Sequence, residues 1–405
     1  MPRVERPIYL DHNATTPCDA SVVAAMLPFF RDEFGNAASR THAYGWAAEA
    51  AVERAREQVA RLVGADAREL IFTSGATEAN NLALFGAARA ARADSGGRRD
   101  HVVSCRTEHR AVLDPCAALE REGFRVTLLG VERDGRLAPD ALREALDART
   151  ALVSVMHANN EIGVIQPIAA LAALAHEAGA AFHCDAAQSA GALELDAARL
   201  GADLYSLSAH KLYGPKGVGA LVVRRGPKRV RLEPVLHGGG HERGLRSGTL
   251  PVPLCVGFGA AAELARASRA GDADRHTRLR DRLLARLTSE LPDLVVNGHP
   301  SERLPGNLNV SFLGVEGEAL LAALPELALS SGSACTSAKR EPSHVLRALG
   351  ADPARALSAL RFGIGRGNDE AQIDEAAARI VEQVRRLRAM SPVWDDLRRG
   401  HAARS

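Results

Sequence analysis

The chain has 405 residues, enough for two domains of ordinary size, with 46% apolar residues and a formal net charge of +2. Acids and bases are interspersed, no basic block occurs and aromatics make up only 4%, so nucleic-acid binding has little support. No uncharged apolar run reaches the roughly 18 residues of a membrane span, and the first ten residues lack a signal-peptide core, so a cytoplasmic setting is expected.

Tyr9 to Pro17 is a polar entry segment, in which Asn13 suits either a ligand carboxylate or an Asx turn. Residues 21–31 read as helical, and 44–63 as a long amphipathic helix stopped by Gly64. A strand over 70–73 then leads through Ser74-Gly75-Ala76-Thr77-Glu78 into an apolar helix. A strand, a glycine turn and a helix start together make an anion site, because unpaired N–H groups and the helix dipole favour a phosphate there. Ser74 or Thr77 also suits a helix cap, and the two roles are compatible. Neither a Walker A loop nor GxGxxG is present.

Strands at 101–105, 125–129, 151–156, 180–184, 203–207 and 218–223 follow, with helices at 110–121, 139–148 and 168–178. Such alternation predicts right-handed crossovers and a largely parallel sheet between helix layers. Ligands gather at the carboxyl ends of strands in sheets of this kind. Four of those ends carry polar clusters: Thr107-Glu108-His109, His157-Ala158-Asn159-Asn160-Glu161, Asp185-Ala186-Ala187-Gln188 and Ser208-Ala209-His210-Lys211. Lys211 is one of four lysines among 51 basic residues. Arginine cannot lose its proton or form an imine, whereas lysine does both. A solvated turn lysine is the alternative. Beyond a glycine-rich stretch, His237 to Thr249, helices are expected at 253–265 and 274–291. Strands at 307–312, 327–330 and 360–365, helices at 317–324 and 343–349, and a last long helix at 370–390 complete a smaller unit.

An imine-forming lysine points to pyridoxal phosphate, the common aldehyde cofactor. Thr77, Ser208 and His210 supply donors for its phosphate. Asp185 suits the ring nitrogen, because an ionised acid beside a pyridinium favours the protonated ring. Gln188 suits the phenolate oxygen and His109 the ring face. Arg361 suits a substrate carboxylate, with Asn160 as a further donor. Each residue has a structural alternative, a helix cap or a buried polar group, yet together they supply every part of one site. The six cysteines show no CxxC or CxxH spacing, against a disulfide framework or structural zinc. Cys105, Cys116, Cys184 and Cys255 lie in apolar segments and read as buried filler, and Cys18 is undecided. Cys335 lies in Ser-Gly-Ser-Ala-Cys-Thr-Ser, where an exposed thiol on a mobile arm suits a nucleophile. A loop cysteine without function is the alternative.

The motifs Tyr-Leu-Asp-His-Asn-Ala-Thr-Thr-Pro, Ser-Gly-Ala-Thr-Glu, Thr-Glu-His, Asn-Asn-Glu-Ile-Gly, Asp-Ala-Ala-Gln, Ser-Ala-His-Lys-Leu-Tyr-Gly-Pro-Lys-Gly, Gly-Gly-Gly-His-Glu-Arg-Gly-Leu-Arg-Ser-Gly-Thr and Ser-Ser-Gly-Ser-Ala-Cys-Thr-Ser occur in that order. Through them the chain resembles, nearly end to end, the pyridoxal-phosphate cysteine desulfurases of the IscS/NifS type, within the fold-type I, class V aminotransferase group. The resemblance implies an α/β fold with a large cofactor-binding domain, 18–265, around a mainly parallel seven-stranded sheet. It implies a smaller α+β domain, 1–17 with 266–405, carrying a mobile cysteine loop at 330–340. Lys211 would hold the cofactor and Cys335 would receive sulfur as a persulfide. Ala76, Thr77, Ser208, Ala209 and His210 would line the phosphate and cofactor edge. Thr249 would reach the neighbouring subunit's phosphate in a homodimer. Asn160, Asp185 and Gln188 would contact the cofactor, His109 would stack on it and move protons, and Arg361, Asn160 and Asn13 would bind substrate.

The implied reaction converts L-cysteine to L-alanine and passes the persulfide to an acceptor such as an iron–sulfur scaffold. No resident metal is implied, only a transient iron–sulfur ligand role for Cys335. Another reaction on the same cofactor, such as selenocysteine lyase or aminotransfer, is the alternative. Two stretches depart from the family pattern. Arg92 to Asp100 reads as a longer polar surface loop, and the tail after Trp394 is shorter and more basic than usual, which bears on the acceptor.

Overall fold

A computed structural model describes residues 6–226, 229–331, 342–392 and 394–395. The strands are β1 Ile8–Tyr9, β2 Leu70–Thr73, β3 His101–Cys105, β4 Arg125–Leu129, β5 Thr150–Ser154, β6 Ala181–Asp185, β7 Leu204–Ser208 and β8 Gly219–Val223, followed by β9 Leu294–Val296, β10 Asn307–Phe312, β11 Leu327–Ala328 and β12 Ala359–Gly363. Seven of them form one sheet in the order β2-β8-β7-β6-β5-β3-β4. The run from β7 to β4 is parallel, and β8 is antiparallel to both β7 and β2. This is the mainly parallel sheet that the alternating pattern predicts.

Strands buried on both faces read as continuous apolar runs, and their period of two divides the core. Ile71, Val102, Leu152, Leu204 and Leu221 pack into one cluster, against the helices Ala76–Asp94 and Arg110–Arg121. Their chain neighbours Phe72, Val103, Val153, Tyr205 and Val222 pack on the opposite face, with the helices Ala43–Leu62, Ile168–Glu177 and Val252–Glu290. Gly64 has φ +65, fitting a stop after the helix Ala43–Leu62.

A second, antiparallel sheet has the order β12-β10-β9. The helix Glu370–Ala389 covers it with Ile373, Ala376, Ala377, Ile380, Val381 and Val384, the stripe of an amphipathic helix. The N-terminal segment also belongs here, since β1 pairs in parallel with β11 and Asp11 bridges to Gly363.

Three local expectations need correction. The helices expected at 253–265 and 274–291 are one unbroken helix, Val252–Glu290. Gly271 does not interrupt it, because glycine in a helix costs only about 1 kcal/mol and the flanking packing outweighs that. The 21–31 segment is two helices, Ala20–Met26 and Pro28–Arg31, because Pro28 lacks the N–H that a continuous helix needs. Arg92 to Asp94 lie in the last turn of the helix Ala76–Asp94, so the polar loop is shorter than the sequence suggests. Cys105, Cys116, Cys184 and Cys255 are buried and unbridged, as expected, and Cys18 is half-buried. Among the described residues no helix is long and apolar enough to cross a membrane.

Candidate active site

The carboxyl ends of β3, β5, β6 and β7 open on one cavity of about 600 Å3. The entry segment and β12 wall it from the other side, through Asn13, Ala14, Thr15 and Arg361. At one end the chain leaves β2, turns at Gly75 and starts the helix Ala76–Asp94. Sequence allowed Ser74 or Thr77 as its cap, but neither caps it: the N-cap is Gly75, with φ 155, and no side chain accepts from the first turn. The helix start is therefore open toward the cavity, where Ala76, Thr77, Ser208 and His210 lie together. Ala209 between them is fully buried, and its N–H donates to the Val218 carbonyl. His210 is fixed by Nδ1 at 3.1 Å from Thr15 Oγ1, and burial lowers its pKa to about 4.

The backbone leaves little room at this end. A Cβ on Gly219 would lie 2.5 Å from the Leu207 carbonyl oxygen and 2.6 Å from Gly75 Cα. Glycine at 219 is what lets the 74–77 turn lie flat against β8.

Lys211 ends a short 3-10 turn, Ala209–Lys211, after β7. Its Nζ donates to the carbonyl oxygens of Asn13 at 2.6 Å and Ala14 at 2.8 Å. Asn13 O also accepts from Gln188 Nε2 at 2.9 Å, while Asn13 Nδ2 donates to Gln188 Oε1 at 3.3 Å. Asn13 is thus tied to Gln188, and Asn307 Nδ2 donates to its Oδ1 at 3.2 Å.

Asp185, the last residue of β6, is buried. Its Oδ2 accepts from Asn80 Nδ2 at 2.7 Å and its Oδ1 from Ala187 N at 2.9 Å, which fixes the carboxylate plane. Asn80, on the otherwise apolar face of the helix Ala76–Asp94, is fully buried. A lone polar residue on an apolar face was the signal that could have singled it out.

His109 caps the helix Arg110–Arg121, with Nδ1 accepting from Ala111 N at 3.0 Å. That bond leaves the neutral ring's proton on Nε2. Burial lowers the His109 pKa, opposed by the Asp185 charge and reinforced by Lys211. Glu108 beside it is fully enclosed, and burial raises its pKa well above the carboxylate range.

Arg361 on β12 is buried, with Nη2 donating to Asp11 Oδ1 at 2.7 Å and Nη1 to the Asn160 carbonyl at 3.2 Å. Its Nε has no hydrogen-bond partner among the described residues. A buried guanidinium N–H without an acceptor leaves capacity for a carboxylate ligand. Asp11 was not singled out from the sequence.

The structure therefore brings Asn13, Ala76, Thr77, His109, Asn160, Asp185, Gln188, Ser208, His210, Lys211 and Arg361 to one cavity. Thr249 is exposed and does not line it. Cys335 lies outside the described residues. The chain on either side of it is at the site: the Ser330 carbonyl accepts from Arg361 N at 2.8 Å, and His344 lines the cavity.

The donor set fits pyridoxal phosphate. An open helix start with two hydroxyls and an imidazole suits the phosphate, a fixed carboxylate suits the ring nitrogen, and a lysine amine lies in the same cavity.

Residues 8–376 match the family model for "Aminotransferase class-V". The chain is 58% identical to a protein named "Cysteine desulfurase IscS" from Anaeromyxobacter sp. (strain Fw109-5), covering 97% of this chain and 96% of that one. A solved structure titled "NIFS-LIKE PROTEIN" superposes with a TM-score of 0.86 at 34% identity, covering 93% of this chain and 99% of that one. Another, titled "SspA in complex with cysteine", has a TM-score of 0.78 at 35% identity, covering 88% and 99%. With its geometry and these likenesses together, the chain belongs to the class-V aminotransferase family and, within it, to the pyridoxal-phosphate-dependent cysteine desulfurases.

Proposed function

We propose that this cysteine desulfurase acts on free L-cysteine, leaves L-alanine, and takes the sulfur as a persulfide on Cys335 for transfer to an acceptor protein. The observation that carries the reading is the placing of Lys211, Asp185 and Arg361 around one cavity. When bound, pyridoxal phosphate supplies an aldehyde for amines and a pyridinium ring that accepts the electron pair released at the substrate α-carbon.

The remaining chemistry belongs to side chains of this protein. Ala76, Thr77, Ser208 and His210 would hold the phosphate, Asp185 would favour the protonated ring nitrogen, and Gln188 would donate to the phenolate oxygen. Arg361 binds the substrate carboxylate, with Asn160 and Asn13 beside it. Lys211 is the amine that would hold the cofactor, and its Nζ is the group that takes the α-proton. His109 keeps a proton on Nε2 and is the second group able to move one. Cys335, as thiolate, attacks the substrate sulfur. An S–S bond forms and the C–S bond breaks; the β-carbon keeps the electron pair and takes a proton, and the α-carbon regains the proton held on Lys211 Nζ, giving alanine and the persulfide.

The active unit in this reading is a homodimer in which Thr249 serves the neighbouring site. The unit 18–265 binds the cofactor, and 1–17 with 266–405 carries Cys335. The setting is cytoplasmic and the acceptor is a protein such as an iron–sulfur scaffold. The relative titled "Cysteine desulfurase IscS" and the cysteine complex titled for SspA support the substrate.

The test is production of alanine and sulfide from L-cysteine with a reductant. Lys211→Ala is expected to abolish both. Cys335→Ala is expected to abolish persulfide transfer and most sulfide. Unchanged turnover in Cys335→Ala would overturn the persulfide reading.

A further inference from the structure

We propose that Arg246 is a positioning residue of the anion site, which it serves by neutralising Glu78, a carboxylate built into the first turn of the helix Ala76–Asp94. The proposal rests on assigning that helix start to the cofactor phosphate. Glu78 lines the cavity next to Ala76 and Thr77. Its Oε2 accepts from Ser74 N at 2.7 Å. In a turn without a side-chain cap, this bond, with the Thr73 Oγ1 bond to the Gly75 carbonyl at 2.9 Å, fixes the backbone between β2 and the helix.

A carboxylate at that position agrees with the helix dipole. It also stands where a phosphate dianion must arrive, and like charges in a partly buried site repel strongly. Arg246 resolves the conflict. Its Nε lies 2.8 Å from Glu78 Oε1 and its Nη2 3.3 Å from Oε2. The two side chains are only 16% and 17% exposed, so water screens the pair far less than a surface ion pair. The carboxylate stays ionised despite burial, since the bonds from Arg246 and Ser74 outweigh desolvation and lower its pKa.

The guanidinium arrives on a braced loop. Leu236 and Arg246 form a bridge. Four residues earlier, Glu242 takes both terminal nitrogens of Arg56 at 2.8 and 2.7 Å and the N–H of Phe72 at 2.7 Å. The loop is thereby locked to the edge strand β2, which feeds the anion turn. Glu78 keeps its bond to Ser74, and the site keeps its affinity for a dianion.

The test strips the full chain of cofactor and titrates it with pyridoxal phosphate and with pyridoxal, which has the aldehyde but no phosphate. Binding is followed by the visible chromophore formed at Lys211, and inorganic phosphate is used as a competitor. Arg246→Ala is expected to weaken pyridoxal phosphate and inorganic phosphate by about tenfold or more while leaving pyridoxal unchanged. Adding Glu78→Gln to Arg246→Ala should restore most of that loss, because the amide still accepts from Ser74 without the charge. Glu78→Gln alone should bind phosphate at least as tightly as the parent, which tests the idea even where Arg246→Ala fails to fold. Equal loss for both aldehydes, no rescue in the double variant, or phosphate-specific weakening in Glu78→Gln alone would overturn the proposal. A parent chain that binds both aldehydes equally would remove the phosphate assignment beneath it.

Discussion

Lys211 Nζ donates a 2.6 Å hydrogen bond to the backbone carbonyl of Asn13. The acceptors at Asn13 and Ala14 are both main-chain carbonyls, and together they aim the amine. The entry segment therefore sets the reach of the lysine, although 198 residues separate Asn13 from Lys211.

Lys211→Arg is expected to form no visible chromophore and no alanine, because a guanidinium stays protonated and does not condense with an aldehyde. Near-parent thermal stability would show that the loss is chemical. Retained turnover in this variant would sink the assignment of Lys211.

Asp185→Asn replaces a charge with an amide at a buried site whose Oδ2 already accepts from Asn80. The expected fall in kcat is roughly a hundredfold or more, the scale of losing one preorganised charge at a reacting centre. KM should change far less. Steady-state assays against L-cysteine check this, and a fall confined to KM would contradict it.

Glu161 is buried, and Ser343 Oγ donates to its Oε2 at 2.5 Å. Burial raises its pKa from 4.5 to about 7, opposed by the Ser343 bond and then by Arg361. Between those values the folded chain holds a proton that the unfolded chain has lost. The contribution to stability is therefore full below 4.5 and declines as the pH rises to about 7. Glu161→Gln should flatten this decline by about 2–3 kcal/mol between about pH 5 and about pH 8, measured by urea unfolding beside the parent. Parallel pH profiles for the two proteins would refute it.

Arg56 and Glu242 form a buried bidentate pair, and Glu242 also holds the Phe72 N–H of β2. Arg56→Ala would leave the Glu242 carboxylate buried without its cation. A loss of about 3–5 kcal/mol in denaturant unfolding is expected. A change within ordinary surface values would mean that the loop carries its charge in another way.

Gly219→Ala would push a Cβ against the backbone of Leu207 and Gly75. Neither neighbour is a flexible side-chain end, so the 74–77 turn must shift. Weaker pyridoxal phosphate binding is expected together with lower stability. Unchanged affinity in a titration would show that the turn tolerates displacement.

Much of this architecture is readable from local rules. The period of two in β7, with Leu204 to one face and Tyr205 to the other, marks a strand covered on both sides. Lys211, Asp185, His109 and Asn160 stand out because they sit at or just past strand ends in a parallel sheet, where chain direction alone decides which end faces a ligand. Helix continuity was less legible. Gly271 in Val252–Glu290 is a weak local penalty that long-range packing overrides.

The strand pattern, the polar strand ends and the family motifs are local properties of the chain, since each depends on neighbours a few residues apart. Which charges meet, by contrast, follows from packing: Arg361 with Asp11, Arg246 with Glu78 and Arg56 with Glu242. With 51 basic and 49 acidic residues, local chemistry allows too many pairings to choose among them. The choice is made when the sheet, the braced loop and the entry segment pack, because burial makes each wrong pairing costly.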